Sequence, residues 1–168
     1  MRRASPPTPS DLLPELTVAA VVERSGLYLL VEERIDGRLV LNQPAGHVEV
    51  GETLQAAVVR EVLEESGCAF TVEATIGAYL WARRDGRAPY LRVAFTGTCP
   101  GELDQHQLDK GIERVLWLSR SDLVARSTQL RSPMVLRAVD DYERGLRYPV
   151  DLFQGLPLDK LALGAAIL

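Results

Sequence analysis

The stretch GHVEVGETLQAAVVREVLEESGC, residues 46–68, decides the fold because it joins a glycine-containing turn to an amphipathic helix. Thr53 is a favourable N-cap, and Gly67 is a favourable residue just beyond a helix C-terminus. Together they predict a helix of about 13 residues. Three glutamates lie in its second half: Glu61, Glu64 and Glu65.

The three glutamates share one side of the predicted helix. At about 100° per residue, Glu64 and Glu65 fall within roughly 60° of Glu61. The opposite side is predicted to face the core, and it carries Ala56, Val59 and Leu63, with Val62 at its margin. For such a helix taken alone, the simplest interpretation is an acidic side that faces water.

Three features favour a metal-binding role instead. Neighbouring carboxylates repel each other by about 0.2–0.5 kcal/mol per pair, and Arg60 is the only basic residue of the helix. Clustered oxygen ligands suit Mg²⁺, with Mn²⁺ as a substitute. Gly46 and Gly51 allow a tight turn, through which a backbone carbonyl could approach the same ion. Glu52 could form an ion pair with Arg60 and so orient Glu61.

The composition of the chain restricts its function. Its 168 residues suffice for one domain, and 46% apolar with 25% charged residues is typical of a folded globular protein. A net charge of −4 argues against duplex nucleic acid as a partner, and an anionic substrate would need a local cation. The sequence contains neither the roughly 18 apolar residues of a membrane helix nor a signal peptide, so we expect a cytoplasmic protein without a membrane partner.

Cys68 and Cys99 are the two cysteines of the sequence. Two residues cannot build a disulfide framework, and they fit the reducing environment of the cytosol. Two thiols alone also make no zinc site.

Short apolar runs on both sides of the helix predict a sheet. Residues 15–24 and 26–34 are expected to form a hairpin, and a turn at Asp36-Gly37 leads into a third strand. Later segments predict strands at 69–84, 89–99 and 112–119, and helices at 121–126 and 132–145. These elements together predict an α/β sandwich.

The two ends of the chain differ from its middle. Residues 1–14 are rich in Pro and Ser and are expected to form a mobile tail. Residues 15–150 are expected to form the folded domain. Residues 151–168 are apolar but broken by Pro and Gly, and the sequence leaves their packing open.

The segment 46–68 resembles the signature of the Nudix hydrolase family, GX5EX7REUXEEXGU, in which U is aliphatic. Gly46, Glu52 and the run REVLEESG at 60–67 match every fixed position. The departure is Cys68 at the last aliphatic position, where a small apolar side chain can still pack.

This resemblance implies an α/β/α sandwich with a central mixed sheet, and hydrolysis of a nucleoside diphosphate linked to another group. It implies that Glu61, Glu64 and Glu65 bind Mg²⁺ or Mn²⁺, with the carbonyl of Gly46 as a further ligand. Glu61 could instead activate the water, and Glu64 and Arg60 join it as candidate catalytic residues. An additional acid outside the signature is common in the family; the candidates here are Asp109 and Glu113.

Further motifs resemble a bacterial subgroup of the family, the NudJ-type phosphatases. They are LNQPAGHVE at 41–49, RSP at 131–133 and RYP at 147–149, and the resemblance covers roughly residues 16–150. It implies hydrolysis of nucleoside di- and triphosphates and of hydroxymethylpyrimidine pyrophosphate. Leu41 stands where a tryptophan is expected in that subgroup.

Three residues near these motifs are candidate substrate ligands. Gln43 and His47 flank the first glycine of the signature, and either could meet phosphate or base. Arg131 lies at the start of the last predicted helix, where the helix dipole also favours anions.

Two other functions stay open at this stage. One is hydrolysis of ADP-ribose or a dinucleotide, although neither a proline soon after Gly67 nor an SQPWP element is present. The other is a nucleotide-sensing domain without hydrolytic activity, although its signature glutamates would then usually be lost. The expected partner is a small phosphoanhydride substrate, and the protein is expected to be a monomer or a homodimer.

Overall fold

Two four-stranded sheets and three α-helices make up the computed structural model, which describes residues 13–83, 87–100 and 108–154. The strands are β1 Glu15–Val21, β2 Glu23–Arg24, β3 Leu27–Ile35, β4 Arg38–Asn42, β5 Ala45–His47, β6 Thr71–Trp81, β7 Tyr90–Thr98 and β8 Ile112–Ser119. The helices are α1 Leu54–Ser66, α2 Arg120–Ala125 and α3 Pro133–Glu143. The predicted tail at 1–14 lies outside the described residues except for its last two, and so does 155–168 of the C-terminal tail.

The first sheet has the strand order β5-β1-β7-β6. β1 and β7 run parallel, whereas β5 pairs with β1 and β6 pairs with β7 in antiparallel fashion. The strands predicted at 69–84 and 89–99 are therefore confirmed, and they pair as a hairpin. The sheet is mixed, as predicted.

The second sheet contains β2, β3, β4 and β8. The predicted turn at Asp36-Gly37 joins β3 to β4, and both turn residues have positive φ. The predicted hairpin between 15–24 and 26–34 is wrong for most of its length, because only Glu23 and Arg24 pair with β3. β1 instead lies inside the first sheet.

Each face of the first sheet carries a separate core. α1 packs on one face through Ala57, Val58 and Val62. α3 packs on the other face through Val135, Ala138 and Val139, together with residues of the second sheet. The layers thus place helices on both sides of a mixed sheet. Within the described ranges, no helix is both long and apolar enough to cross a membrane.

α1 has the predicted ends but not the predicted orientation. The Thr53 hydroxyl accepts a hydrogen bond from the Ala56 amide, and Gly67 adopts a left-handed conformation with φ of 68°. Ala56, Val59 and Leu63, predicted to face the core, are exposed; Val59 is 37% and Leu63 54% accessible.

The buried side of α1 consists of Ala57, Val58, Glu61, Val62, Glu65 and Ser66. The predicted orientation assumed that the acidic side must face water and therefore placed the core opposite to it. In the structure the acidic side borders the core, because Glu61 and Glu65 turn toward β5.

Cys68 and Cys99 form a disulfide, with their Cα atoms 5.8 Å apart. It connects the segment after α1 to the end of β7, and both residues are buried. The cysteine count alone had suggested a reducing environment; a disulfide is more typical of an oxidising one. The cytoplasmic location stays a prediction.

Candidate active site

Gly46 on the edge strand β5 lies directly against the side chain of Glu61. A Cβ atom at position 46 would be 2.0 Å from Glu61 Oε1, which is far inside van der Waals contact. A side chain at position 46 would push the Glu61 carboxylate aside, so glycine lets this carboxylate lie directly against the strand. The first glycine of the predicted signature therefore has a steric role that the structure explains.

Arg60 links the turn before α1 to the acidic side of the helix. Its guanidinium donates two hydrogen bonds to the Glu52 carboxylate, each 3.0 Å long, and one of 3.0 Å to the His47 carbonyl. The ion pair expected between Glu52 and Arg60 is thus present, and it holds the pKa of Glu52 below its ordinary value. The turn at 47–52 is fastened to the helix by these contacts.

The same guanidinium also reaches two of the three glutamates of the helix. Arg60 Nη1 donates to Glu61 Oε1 over 2.8 Å and to Glu64 Oε2 over 3.0 Å. Burial raises the pKa of Glu61, and Arg60 opposes this shift by stabilising the charged form. Arg60 thus places a positive charge beside two of the three glutamates.

Glu65 is the most deeply buried of the three glutamates on α1. It is 8% accessible, and its Oε2 accepts a 2.8 Å hydrogen bond from the Ala45 amide. Burial raises its pKa to about 8; nearby Glu33 and Glu61 add to the shift, whereas Arg131 opposes it. Keeping this carboxylate charged costs stability unless a cation binds beside it.

The oxygen donors beside α1 are of the kind that a divalent metal binds. Carboxylate and carbonyl oxygens are the donors that Mg²⁺ and Mn²⁺ prefer. Glu61 and Glu65 contact β5 at Gly46 and Ala45, and Glu64 lies beside them on α1. In the described part of the chain, however, no three acidic, His or Cys side chains converge on one point. Glu61 and Glu64 bond Arg60, whereas Glu65 bonds the Ala45 amide. The donor set fits the metal once these two side chains turn from Arg60.

Glu33 and Arg92 belong to this site and were missed in the sequence. Both are buried, and Arg92 Nη1 donates to Asn42 Oδ1 over 3.2 Å. Burial lowers the pKa of Arg92 to about 10, with Arg131 adding to the shift and Glu33 and Glu65 opposing it. A signal existed: Arg92 interrupts an apolar strand, and a charge in such a strand needs partners of opposite sign.

The predicted substrate ligands have different environments. Arg131 is one-third exposed and pairs with Glu33. His47 is exposed, and its ring lies 2.8 Å from a carboxylate oxygen of Glu15. Gln43 is fully buried and donates to the Val135 carbonyl over 2.8 Å, so it supports α3. Arg131 and His47 are therefore the accessible candidates.

Leu41, which occupies the position of an expected tryptophan, is also buried. It packs in the core beneath α3, together with Leu30 and Leu123. A side chain in this place contributes to packing and does not offer an open face to a base.

The two predicted additional acids differ in position. The Asp109 amide donates to the Glu64 carbonyl over 2.9 Å, and its charge contributes to raising the pKa of Glu61. Asp109 thus lies beside the acidic side of α1. Glu113 instead forms an exposed ion pair with Arg34. Of the two, Asp109 is the one that lies beside the glutamates of α1.

Known proteins resemble this chain over most of its length. A family model for the NUDIX domain matches residues 13–138. The phosphatases NudJ of Escherichia coli strain K12 and of Shigella boydii are each 36% identical to it over 139 residues, which cover 83% of this chain and 90% of theirs.

Solved structures show the same similarity. A NUDIX hydrolase from Nitrosomonas europaea superimposes with a TM-score of 0.82 at 42% identity, covering 86% of this chain and 98% of that one. The NUDIX domain of NrtR from Shewanella oneidensis, solved with ADP ribose, superimposes with a TM-score of 0.65 at 18% identity, covering 83% and 93%. The second likeness is one of fold alone.

Proposed function

The chain belongs to the Nudix hydrolase family, and from this premise we propose that it is a divalent-metal-dependent phosphatase for small phosphoanhydrides. The proposed substrates are nucleoside di- and triphosphates and hydroxymethylpyrimidine pyrophosphate. Support comes from the NudJ phosphatases, which this chain matches over 90% of their length. Mg²⁺ is the proposed metal, with Mn²⁺ as a substitute.

The observation that carries the proposal is the placement of three glutamates along the side of α1 that faces Gly46. Glu61, Glu64 and Glu65 would hold the metal, with the Gly46 carbonyl as a further ligand. A bound divalent cation neutralises phosphate charge and makes a coordinated water more acidic.

The remaining steps are assigned to residues of the chain. Glu61 is the proposed acceptor of the proton from the attacking water, with Asp109 as an alternative. Arg131 and His47 are the proposed ligands of the outer phosphate oxygens or the base. Arg60 and Glu52 hold the turn at 47–52 against α1, so that the Gly46 carbonyl keeps its position.

A substrate panel with matched variants tests the proposal. The protein is incubated with Mg²⁺ and nucleoside di- and triphosphates, hydroxymethylpyrimidine pyrophosphate, ADP-ribose and NADH, and products are identified by mass. Orthophosphate from the first three groups is expected. Glu64→Gln should lower the rate at least about 100-fold by removing a metal ligand. Glu73→Gln is the control, because Glu73 is an exposed acid on β6.

Other outcomes of the panel point to other functions. AMP from ADP-ribose or NADH, without orthophosphate from the nucleotides, would identify a dinucleotide-type pyrophosphatase. Binding of nucleotides without any turnover would identify a sensing domain. Equal rates for Glu64→Gln and Glu73→Gln would contradict the metal role assigned to α1.

A further inference from the structure

An apolar groove of about 490 Å³ lies on the face of the first sheet that carries α1. Leu16, Ala78 and Leu91 form its floor, on three adjacent strands. Val48 and Leu54 form one wall, at the turn that carries Glu52. α1 covers the neighbouring part of this face, so the groove is the portion of the sheet that the helix leaves open.

The groove continues into exposed leucines. Leu16 at its floor is 39% accessible and Leu152 at its end is 52% accessible. Leu80 pairs with Leu91 across β6 and β7, shares the same face, and is 70% accessible. A contiguous apolar surface of this kind normally lies against another part of the chain or against a partner.

The path of the described chain leads into this groove. After α3, Tyr148 bridges to Thr75 on β6 through hydrogen bonds of 2.8 and 3.0 Å. Gln55 of α1 then donates to the Val150 carbonyl over 2.6 Å. Phe153 packs on the core, and Gln154, the last residue that the structure describes, lines the groove. The chain has thus crossed the sheet edge and reached the open apolar face.

The sequence that follows suits an apolar surface. Residues 155–168, GLPLDKLALGAAIL, contain nine Leu, Ile or Ala residues among 14, and Asp159 and Lys160 are the charged ones. Extended, 14 residues span up to roughly 45 Å. The four strands of the sheet span only about 15 Å from first to last. The segment is therefore long enough to cross the groove from its entry at Gln154.

We propose that residues 155–168 dock intramolecularly in this groove and cover Leu16, Leu80 and Leu91. Docking also buries Val48 and Leu54, which flank the turn that holds Glu52 against Arg60. The C-terminal segment thereby supports the turn of the candidate site. The inference stands on the groove and on the path of the chain, and it is independent of the proposed substrate.

Photo-crosslinking in the full-length chain tests the docking directly. A photoreactive amino acid replaces Leu161, and a mixture of isotopically light and heavy protein separates crosslinks within a chain from those between chains. Crosslinks within one chain to peptides of β1, β6 or β7 are expected. Crosslinks between chains would assign the groove to a second copy and overturn the proposal. Absence of crosslinks to these strands would overturn it as well.

Thermal unfolding of full-length variants supplies a second measurement. Leu161→Asp in the segment and Leu80→Gln in the groove should each lower Tm by about 3–6 °C. The Tm of the double variant should be little lower than that of either single variant, because both changes remove the same contact. Leu39→Gln is the control, because Leu39 is 43% exposed on β4, away from the groove. Additive losses, or a Leu161→Asp protein with unchanged Tm, would contradict docking.

Discussion

Arg60 carries two tasks in the structure. It fastens the turn at 47–52 through Glu52, and it bonds Glu61 and Glu64 on the helix. A lysine has one ammonium group and could not make the paired contacts with Glu52 while also reaching the helix carboxylates. The fixed arginine of the signature is thus explained by the geometry of its guanidinium group.

Glu65 provides a test of the metal proposal through stability. Its burial raises its pKa to about 8, so the folded protein bears a cost for the charged carboxylate. Glu65→Gln keeps an acceptor for the Ala45 amide and removes the charge. In EDTA this variant should gain about 1–2 kcal/mol in free energy of unfolding, as measured by urea denaturation.

With added Mg²⁺, the wild-type protein should be more stable than Glu65→Gln, which is the opposite of their order in EDTA. The wild-type protein should gain Tm on addition of Mg²⁺, because the metal binds only the folded state. Glu65→Gln should lose most of this gain, while the exposed control Glu73→Gln retains it. A Glu65→Gln protein that is less stable than wild type in EDTA would argue that the carboxylate serves the fold.

At the scale of single elements, the ends of α1 could be predicted and its rotation could not. Thr53 and Gly67 act through local backbone geometry, which the sequence displays directly. The rotation depends on where three carboxylates point in the tertiary structure. Since the acidic side of α1 borders the core, the rule that acids face water gave the wrong orientation.

Aspartate substitutions at two neighbouring valines measure this orientation. Val58 is fully buried, so Val58→Asp should cost about 4 kcal/mol in free energy of unfolding by burying an unpaired charge. Val59→Asp should cost less than about 1 kcal/mol, because Val59 is partly exposed. Chemical denaturation of both variants gives the comparison. Equal costs would show that the helix is rotated from its position in the structure.

The attachment of α3 to the first sheet should depend on pH. Asp141 accepts hydrogen bonds from Tyr79 over 3.0 Å and from Arg137 over 3.0 and 3.1 Å, and it also bonds Arg144. Burial acts to raise the pKa of Asp141, but these donors outweigh it and hold the pKa below its ordinary value of 3.8.

A lowered pKa in the folded state means that the unfolded chain binds protons first as the pH falls. The stabilisation by Asp141 is therefore complete at neutral pH and is lost below about pH 4. Urea denaturation between pH 6 and about pH 3 should show this loss, and Asp141→Asn should be less stable at pH 6 with a shallower decline. An identical decline in both proteins would exclude Asp141 as its source.

For the molecule as a whole, the class of fold followed from the sequence but the strand partners did not. Alternating strands and helices predicted an α/β sandwich, which the structure confirms. The sequence placed β1 beside β3 because they are neighbours along the chain. β1 is buried on both faces and lies between β5 and β7, which come later in the sequence. Such nonlocal pairing depends on the packing of the complete sheet.

The part of the candidate site that lies within one segment of the chain could be predicted from the sequence, whereas the part that depends on nonlocal contacts could not. Gly46, Glu52 and the helix glutamates lie within one continuous segment, and their spacing is visible in the sequence. Glu33 and Arg92 come from two different sheets and meet only in the folded structure. Their place in the candidate site could therefore be recognised only from the three-dimensional structure.

The disulfide between Cys68 and Cys99 spans a sequence separation of 31 residues. Closing a loop of this size stabilises a folded protein by about 3–4 kcal/mol through the unfolded state. Reduction should therefore lower Tm, as measured by calorimetry with and without dithiothreitol, after alkylation and mass measurement have established the oxidised form. A double Cys68→Ala, Cys99→Ala variant should show no response to the reductant. An unchanged Tm in wild type would contradict a stabilising disulfide.

The charges of buried Glu33, Glu65 and Arg92 and of the one-third exposed Arg131 have a consequence for how the sequence can change in evolution. Each charge is offset by the others, so a single replacement leaves an uncompensated charge in the interior. A lineage that lost one of them would be under selection to change a second. Across related proteins these positions should therefore vary together: a neutral residue at 92 accompanied by a neutral residue at 33 or 131, and seldom alone.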